Sequence, residues 1–180
     1  MPVRPAMLYP LRFEPIFKTA LWGGARLRPF LGAPDANEPT GEAWVLSDQG
    51  DSLSVVADGP LRGATLRDLM EQIPQRLLGR PPEAHGRFPL LCKFLDARQP
   101  LSVQVHPNDE QAARMTPTSK GPNAGLGKTE AWVILQAEPD ALLYAGLRPG
   151  VTREKLLEAL RAGSSFALNA GDVLDRKSVV

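Results

Sequence analysis

LSVQVHP, residues 101–107, is the segment on which the fold prediction depends most. Side chains point alternately to the two faces of a β-strand, so a strand through this segment has one apolar face and one polar face. Gln104 and His106 lie on the polar face, two residues apart. The segment therefore predicts a strand that carries an amide and an imidazole side by side.

GKTEAWVIL, residues 127–135, predicts a second strand. Lys128 and Glu130 share one face of it, because they are also two residues apart. The apolar run from Trp132 to Leu135 follows directly. We expect this run to anchor the strand in a core.

If the polar faces of these strands point at each other, one pocket holds Gln104, His106, Lys128 and Glu130. Imidazole nitrogen and carboxylate oxygen both suit zinc, and a catalytic zinc site keeps one coordination position open. Lys128 adds a cation for an anionic or hydroxyl-rich substrate. The spacing leaves a structural alternative open, because a single strand histidine is more often a core or surface residue, and a Lys-x-Glu pair is usually a solvated strand face.

The composition describes one globular domain. The 180 residues are 43% hydrophobic and 23% charged, which is enough for one core. The formal net charge of +1 gives no electrostatic footprint for nucleic acid or an anionic membrane. Signal-peptide and membrane-spanning patterns are not found. We therefore expect a cytoplasmic protein without nucleic-acid or membrane partners.

Two residues with reactive side chains are not expected to belong to a functional site. Cys92 is the single cysteine, so an internal disulfide is excluded. It lies in an apolar run, which favours a small buried hydrophobic residue. His85 lies in a proline-rich loop without another ligand at a useful spacing, so we expect it to be exposed and uninvolved.

The other patterns predict short strands and small peripheral helices. Thr65 is a candidate N-cap for a helix with apolar residues at i, i+3, i+4 and i+7, and Pro74 should end or kink that helix. Thr152 is the candidate cap of a second helix at residues 153–162. Further strands are expected at residues 41–47, 52–57 and 141–145.

Trp22 and Glu42 lie in two further patterns. Trp22 precedes two glycines, which predicts a packed aromatic beside a tight turn at residues 22–24. Glu42 lies on the strand predicted at residues 41–47. It is either a partner behind a site or an exposed strand glutamate, and the second is the commoner case.

Five ordered motifs resemble the zinc-dependent, cupin-fold mannose-6-phosphate isomerases. They are WGG (22–24), GEAW (41–44), FPLLCKFLD (88–96), LSVQVHPND (101–109) and GKTEAW (127–132). The resemblance runs from about Leu8 to Gly171. It implies a mainly β fold, a cupin-type jelly-roll β-barrel that is incomplete at the C-terminus, with small peripheral helices.

The resemblance also implies a site. It implies that His106, Glu130 and Gln104 bind Zn²⁺. Gln104 matches a branch of the family in which this glutamine is a ligand, whereas the short insertions resemble a bacterial branch in which that position need not be one. It implies that Lys128 stabilises charge or holds a substrate hydroxyl, and that Trp22 lines the substrate cleft. The implied reaction is the reversible conversion of mannose 6-phosphate to fructose 6-phosphate through a cis-enediol. The implied partner is therefore a small-molecule sugar phosphate.

The last residues depart from the family pattern. In the family, a segment resembling residues 169–173 leads into a strand and a histidine that completes the zinc site, followed by an arginine associated with catalysis. Here the sequence changes after about Leu174 to DRKSVV. We expect residues 1–174 to be the N-terminal part of such a catalytic domain, with a helical segment at about 64–80, and residues 175–180 to be a non-native tail of sequencing-adapter origin. We expect a fragment of that kind to be inactive or nearly so.

Two other functions fit the same residues. A metal-dependent sugar-binding regulator would bind its ligand without exchanging the C2 proton of the sugar. Another cupin isomerase, such as a glucose-6-phosphate isomerase, would prefer the glucose epimer. Fold and site type do not by themselves determine the substrate.

Overall fold

The computed structural model describes residues 8–83, 86–101, 104, 106–115, 126–139, 141–147, 149–162 and 168–173. The chain divides into two compact units. The first unit comprises Met1–Ser102 and Thr116–Ala124, and the second comprises Val103–Met115 and Gly125–Val180. No helix among the described residues is both long and apolar enough to cross a membrane.

The described elements are short strands and short helices. In chain order they are β1 (Ile16–Gly24), α1 (Leu27–Phe30), β2 (Thr40–Leu46), β3 (Asp48–Gln49), β4 (Ser52–Leu53), α2 (Leu66–Gln72), α3 (Pro74–Leu78), β5 (Cys92–Leu95), α4 (Asp109–Met115), β6 (Leu142–Leu147), α5 (Arg153–Arg161) and β7 (Leu168–Val173).

The first unit contains a three-stranded antiparallel sheet with β2 between β1 and β5. Ala43, in the middle of β2, is fully buried and pairs with Phe17 on one side and Phe94 on the other. Side chains alternate along a strand, so Glu42 and Trp44 lie on the opposite face of the sheet from Ala43. The strand predicted at residues 41–47 is therefore confirmed to within one residue at each end.

The turn predicted at residues 22–24 is wrong, because these residues form the end of β1. Neither glycine has a positive φ. A Cβ on Gly23 would collide with the backbone of residues 40–41, and a Cβ on Gly24 would collide with the Asp96 side chain. The glycines are needed because neighbouring segments approach closely, and not because a turn requires their backbone angles.

The helix predicted after Thr65 is confirmed as α2. Its N-terminus is closed by a reciprocal pair of hydrogen bonds, in which the Thr65 hydroxyl accepts from the Asp68 amide at 3.0 Å and Asp68 Oδ2 accepts from the Thr65 amide at 2.8 Å. The helix ends before Pro74, as predicted, and Pro74 is the first residue of α3. The buried residues of α2 are Leu66, Leu69 and Met70.

Removal of the Asp68 carboxylate is expected to weaken α2 in a pH-dependent way. The hydrogen bonds from the side chain and the backbone of Thr65 hold the pKa of Asp68 below its ordinary value. Asp68→Ala is expected to lower the free energy of unfolding by about 1 kcal/mol at pH 7. A carboxylate with a depressed folded-state pKa contributes its full stability above the unfolded pKa of about 3.9 and loses it as the pH falls below that value. The difference should therefore disappear as the pH falls through the folded-state pKa.

Urea unfolding followed by circular dichroism at pH 7 and near pH 2 measures this difference. Glu71→Ala is the matched control, because Glu71 is an exposed carboxylate on the same helix. An Asp68→Ala effect of equal size at both pH values would contradict the role of the charged cap.

The second unit contains α4, β6, α5 and β7, and β6 pairs antiparallel with β7. Asn108 caps α4, because its Oδ1 accepts from the Gln111 amide at 2.8 Å while Gln111 Oε1 accepts from the Asn108 amide at 3.1 Å. The helix predicted after Thr152 is confirmed as α5, and the strand predicted at residues 141–145 corresponds to β6. Local capping chemistry therefore sets where both helices begin.

The two segments that carry the predicted site are not regular strands where the structure describes them. Described positions of residues 101–107 are not in a strand, and residues 102, 103 and 105 lie outside the described part. In residues 127–135 only Val133 forms an isolated bridge. A strand assignment needs consecutive ladder pairing, and within residues 127–135 Val133 is the one position assigned to a bridge.

The prediction that the run from Trp132 to Leu135 anchors a core is wrong for two of its members. Val133 is 63% exposed and Leu135 is 59% exposed, whereas Trp132 and Ile134 are partly covered. Burial thus alternates along the run with a period of two. Within the run, only Trp132 and Ile134 are partly covered.

Cys92 is exposed, which contradicts its prediction as a buried hydrophobic residue. It is the first residue of β5, an outer strand of the three-stranded sheet, and pairs with Leu46 at the end of β2. An apolar sequence neighbourhood does not cover a residue at such a corner. His85, residues 116–125 and residues 174–180 lie outside the described residues, so the predictions made for them are not tested.

Candidate metal and substrate site

His106, Lys128 and Glu130 meet in the second unit, and we call them the His-Lys-Glu cluster. Lys128 Nζ lies 3.1 Å from His106 Nε2 and forms an ion pair with Glu130 Oε2. His106 Nε2 and Glu130 Oε2 are 3.6 Å apart. Three of the four side chains that the sequence predicts in one pocket are therefore in mutual contact.

Backbone contacts around the start of α4 bring the two segments of the cluster together. The Lys128 amide donates to the Pro107 carbonyl at 3.0 Å, and the Gly127 amide donates to Asp109 Oδ1 at 2.7 Å. A Cβ on Gly127 would lie 2.5 Å from the carbonyl carbon of Asn108. Glycine at this position lets the chain approach residues 107–109, which places Lys128 and Glu130 beside His106.

The imidazole of His106 presents the lone pair of Nε2 to the cluster. An ammonium group has only donors, so Lys128 donates to Nε2 and Nε2 accepts. The proton of the neutral ring is then on Nδ1. This is the tautomer in which Nε2 is available as a metal ligand.

Glu130 is held by different groups on its two carboxylate oxygens. Oε1 accepts from Trp132 Nε1 at 2.5 Å, and Oε2 faces Lys128 and His106. Partial burial raises the pKa of Glu130, but the hydrogen bonds from Lys128 and Trp132 and the charge of Lys128 outweigh it, so the pKa lies below its ordinary value. Glu130 is therefore an anion at neutral pH.

The cluster fits a divalent cation by the chemistry and the spacing of its donors. Nitrogen and oxygen ligands lie about 2.0–2.2 Å from zinc, so two ligands of one tetrahedral ion are about 3.4 Å apart. The 3.6 Å between His106 Nε2 and Glu130 Oε2 is close to that separation. The ammonium of Lys128 supplies the positive charge that both atoms face in this structure.

A further protein ligand is not assigned by the described residues. Among them, no three His, Cys, Asp or Glu side chains come close enough to hold a metal ion together. Gln104 offers an amide oxygen instead, and its side chain is exposed. Its place beside His106 stays a prediction, because residues 103 and 105 lie outside the described part.

Trp22 lies in the first unit, where packing explains its position. A Cβ on Gly41 would lie 2.7 Å from the Trp22 ring, so the ring is packed directly on this glycine. The Trp22 carbonyl accepts the amides of Arg98 at 2.9 Å and Gln99 at 3.2 Å. These contacts support the packed aromatic that the sequence predicts, and its role in substrate binding stays a prediction.

Glu42 is not the exposed strand glutamate that we considered the commoner case. Its side chain is 19% exposed and forms an ion pair with Lys93 at 2.9 Å. Glu42 Oε2 accepts from Trp44 Nε1 at 2.5 Å. The antiparallel register explains the contact with Lys93, because Lys93 pairs with Trp44, two residues along β2 on the same face.

The first unit and the second unit therefore contain the same local arrangement. In each, a glutamate is followed by alanine and tryptophan, the indole donates to one carboxylate oxygen, and a lysine pairs with the carboxylate. The repeated EAW at residues 42–44 and 130–132 was the sequence signal for it. The two motifs contributed to the predicted family, whereas their common geometry is seen only in the structure.

Comparisons with known proteins agree with the motifs. The family described as phosphomannose isomerase type I, catalytic domain, matches residues 11–140. The chain is 40% identical over 158 residues to the probable mannose-6-phosphate isomerase GmuF of Bacillus subtilis, covering 87% of this chain and 47% of that protein. It is 41% identical over 155 residues to the mannose-6-phosphate isomerase ManA of the same organism, covering 86% and 45%.

A solved structure matches the fold of the chain. The chain superposes on the crystal structure of the mannose 6-phosphate isomerase from Bacillus subtilis with a TM-score of 0.78 and 32% identity, covering 94% of this chain and 51% of that chain. The chain thus spans about half the length of the relatives that it matches. The expected mainly β, cupin-type fold with small helices is confirmed by this match, although no closed barrel forms within the described residues. Because the family match covers most of the sequence, the chain belongs to the type I phosphomannose isomerase family.

Proposed function

We propose that residues 1–174 are the N-terminal part of a mannose-6-phosphate isomerase, which interconverts mannose 6-phosphate and fructose 6-phosphate with Zn²⁺ as its cofactor, and that the 180-residue chain alone is inactive or nearly so. The observation that carries this proposal is the 3.6 Å pairing of His106 Nε2 with Glu130 Oε2 in a chain of this family. The relatives named as mannose-6-phosphate isomerases support the choice of substrate. A sugar phosphate is therefore the proposed small-molecule partner.

His106 and Glu130 are the proposed metal ligands, with Gln104 as a third. A neutral imidazole and an anionic carboxylate are donors that zinc binds in proteins. When bound, Zn²⁺ supplies Lewis acidity and a template for the sugar oxygens. The hydrogen bonds that lower the pKa of Glu130 keep the carboxylate ready to bind a cation at neutral pH.

Lys128 is the proposed catalytic group of this chain. In an aldose-ketose isomerisation a proton moves from C2 to C1 through a cis-enediol, and negative charge develops on the carbonyl oxygen. The Lys128 ammonium lies beside both proposed metal ligands, His106 and Glu130, and its side chain is 42% exposed, so it is accessible to a ligand. A cation that is positioned before the reaction stabilises developing charge with little reorganisation.

Trp22 is proposed to line the substrate cleft, because its WGG motif resembles that of the family. The cytoplasmic location and the lack of nucleic-acid and membrane partners stay predictions from composition. The assignment of residues 1–174 to the N-terminal part of the catalytic domain, and of residues 175–180 to a non-native tail, also stays a prediction.

The experiment that tests the proposed function compares two purified proteins. The first is the 180-residue chain, which we expect to bind Zn²⁺ but to show little or no turnover, because it spans about half of its relatives. The second is a hybrid in which the remainder of ManA follows residue 173. We expect the hybrid to convert mannose 6-phosphate to fructose 6-phosphate, measured by a coupled assay with and without a chelator.

Each alternative predicts a different result for one of the two proteins. Full turnover by the 180-residue chain alone would contradict its proposed inactivity. A hybrid that binds the sugar but does not exchange its C2 proton with solvent would favour a sugar-binding regulator. A preference for glucose 6-phosphate would favour another cupin isomerase.

A further inference from the structure

Trp132 restricts which oxygen of Glu130 faces the His-Lys-Glu cluster. A carboxylate rotates readily about its last side-chain torsion and can present either oxygen. In this structure Oε1 is occupied by the indole N–H at 2.5 Å, and Oε2 lies 3.6 Å from His106 Nε2. The indole therefore selects the oxygen that is left for a cation.

We propose that Trp132 is a positioning residue for the cation site. Its indole N–H holds Oε1 of Glu130, so that Oε2 is presented to a divalent cation together with His106 Nε2. This inference rests on the proposed function, because it concerns the same site. In it Trp132 touches neither the cation nor the substrate and acts through Glu130.

The chemistry of the indole suits this role. Its N–H is a donor only, so Trp132 orients the carboxylate but cannot accept the cation on that atom. Trp132 is partly covered, whereas Ala131 and Val133 on either side are exposed. Partners that orient a metal ligand in this way typically change metal affinity by about 10–100-fold when they are removed.

The first unit supplies a matched arrangement without a proposed metal ligand. Trp44 Nε1 donates to Glu42 Oε2 at 2.5 Å, and the other oxygen of Glu42 lies 2.9 Å from Lys93 Nζ. The hydrogen bond to be tested at Trp132 thus occurs twice in the chain with the same length. Removal of the Trp44 indole is the natural control for removal of the Trp132 indole.

The test measures Zn²⁺ affinity of the 180-residue chain by competition with a chromophoric chelator. Trp132→Phe is expected to weaken binding by about 10–100-fold, and Trp44→Phe is expected to leave it unchanged within error. A second variant carries 3-benzothienylalanine at position 132, which keeps the shape of the indole but lacks the N–H. It should weaken binding to the same extent while preserving packing, which separates the hydrogen bond from any effect on folding.

A metal-free measurement tests the hydrogen bond itself. The indole N–H resonance of Trp132 should shift upfield in Glu130→Ala without Zn²⁺, and that of Trp44 should not. An unmoved Trp132 resonance overturns the inference. Equal Zn²⁺ affinity of the wild-type chain and the benzothienylalanine variant also overturns it but leaves the proposed zinc site intact. A wild-type chain that binds no Zn²⁺ overturns both.

Discussion

Asp48→Ala is expected to lower the free energy of unfolding by about 3–5 kcal/mol. Asp48 is fully buried, and its Oδ1 lies 2.5 Å from Arg67 Nε while its Oδ2 accepts the Phe88 amide at 2.9 Å. Alanine would leave this amide without its acceptor and the partly buried Arg67 without its counter-ion. An uncompensated charge in a covered position is among the most destabilising consequences of a single substitution.

A surface ion pair of the same unit is the matched control. Asp58 pairs with Arg12 at 2.7 Å, but the two side chains are 47% and 76% exposed. Asp58→Ala is expected to cost less than about 1 kcal/mol, because water screens an exposed pair. Asp48→Asn keeps an acceptor for the Phe88 amide and should fall between the two alanine variants.

Urea unfolding followed by circular dichroism compares the three variants with the wild-type chain. A similar loss of stability in Asp48→Ala and Asp58→Ala would contradict the argument from burial. The expected difference would show that Asp48 connects β3 to α2 through Arg67 and to the segment before β5 through Phe88.

Lys128→Met is expected to have opposite effects on metal binding and on turnover. The Lys128 ammonium contacts both His106 Nε2 and Glu130 Oε2, the two atoms proposed to hold the metal ion. A metal ion must replace those contacts, so removing the ammonium should strengthen Zn²⁺ binding by about 10-fold, which corresponds to about 1.4 kcal/mol. The same change should reduce turnover of the hybrid by about 100-fold or more, because a preorganised charge is lost.

Chelator competition and the coupled assay measure the two effects on the same preparations. Lys155→Met is the control, because Lys155 is an exposed lysine on α5 of the same unit. Weaker Zn²⁺ binding by Lys128→Met would contradict competition between the ammonium and the metal ion. Unchanged turnover of the hybrid would remove Lys128 from the proposed mechanism.

Several features of this protein could be predicted from the sequence because the interactions that produce them are local. Thr65 and Thr152 precede their helices directly, and a cap acts within one turn of helix. The strand expected at residues 41–47 is found as β2, at Thr40–Leu46. The order of five motifs was enough to predict the family, which the comparisons confirm.

Other features depend on segments that are distant along the chain. Asp48 reaches Arg67 and Phe88, which are 19 and 40 residues away, and no local pattern indicates that pairing. The same limit explains two wrong predictions. The exposure of Cys92 depends on which other segments lie over the start of β5. The glycines at residues 23–24 are required by the close approach of residues 40–41 and Asp96, which the sequence of residues 22–24 does not indicate.

The sequence by itself therefore determined the family, the starts of α2 and α5 and the residue types of the candidate site. Only the tertiary structure decided that Glu130 presents one oxygen to Trp132 and the other to His106 and Lys128. The physical reason is that periodicity assigns a side chain to a face, whereas its partners depend on how two segments approach, here through Gly127 packed against residues 107–109.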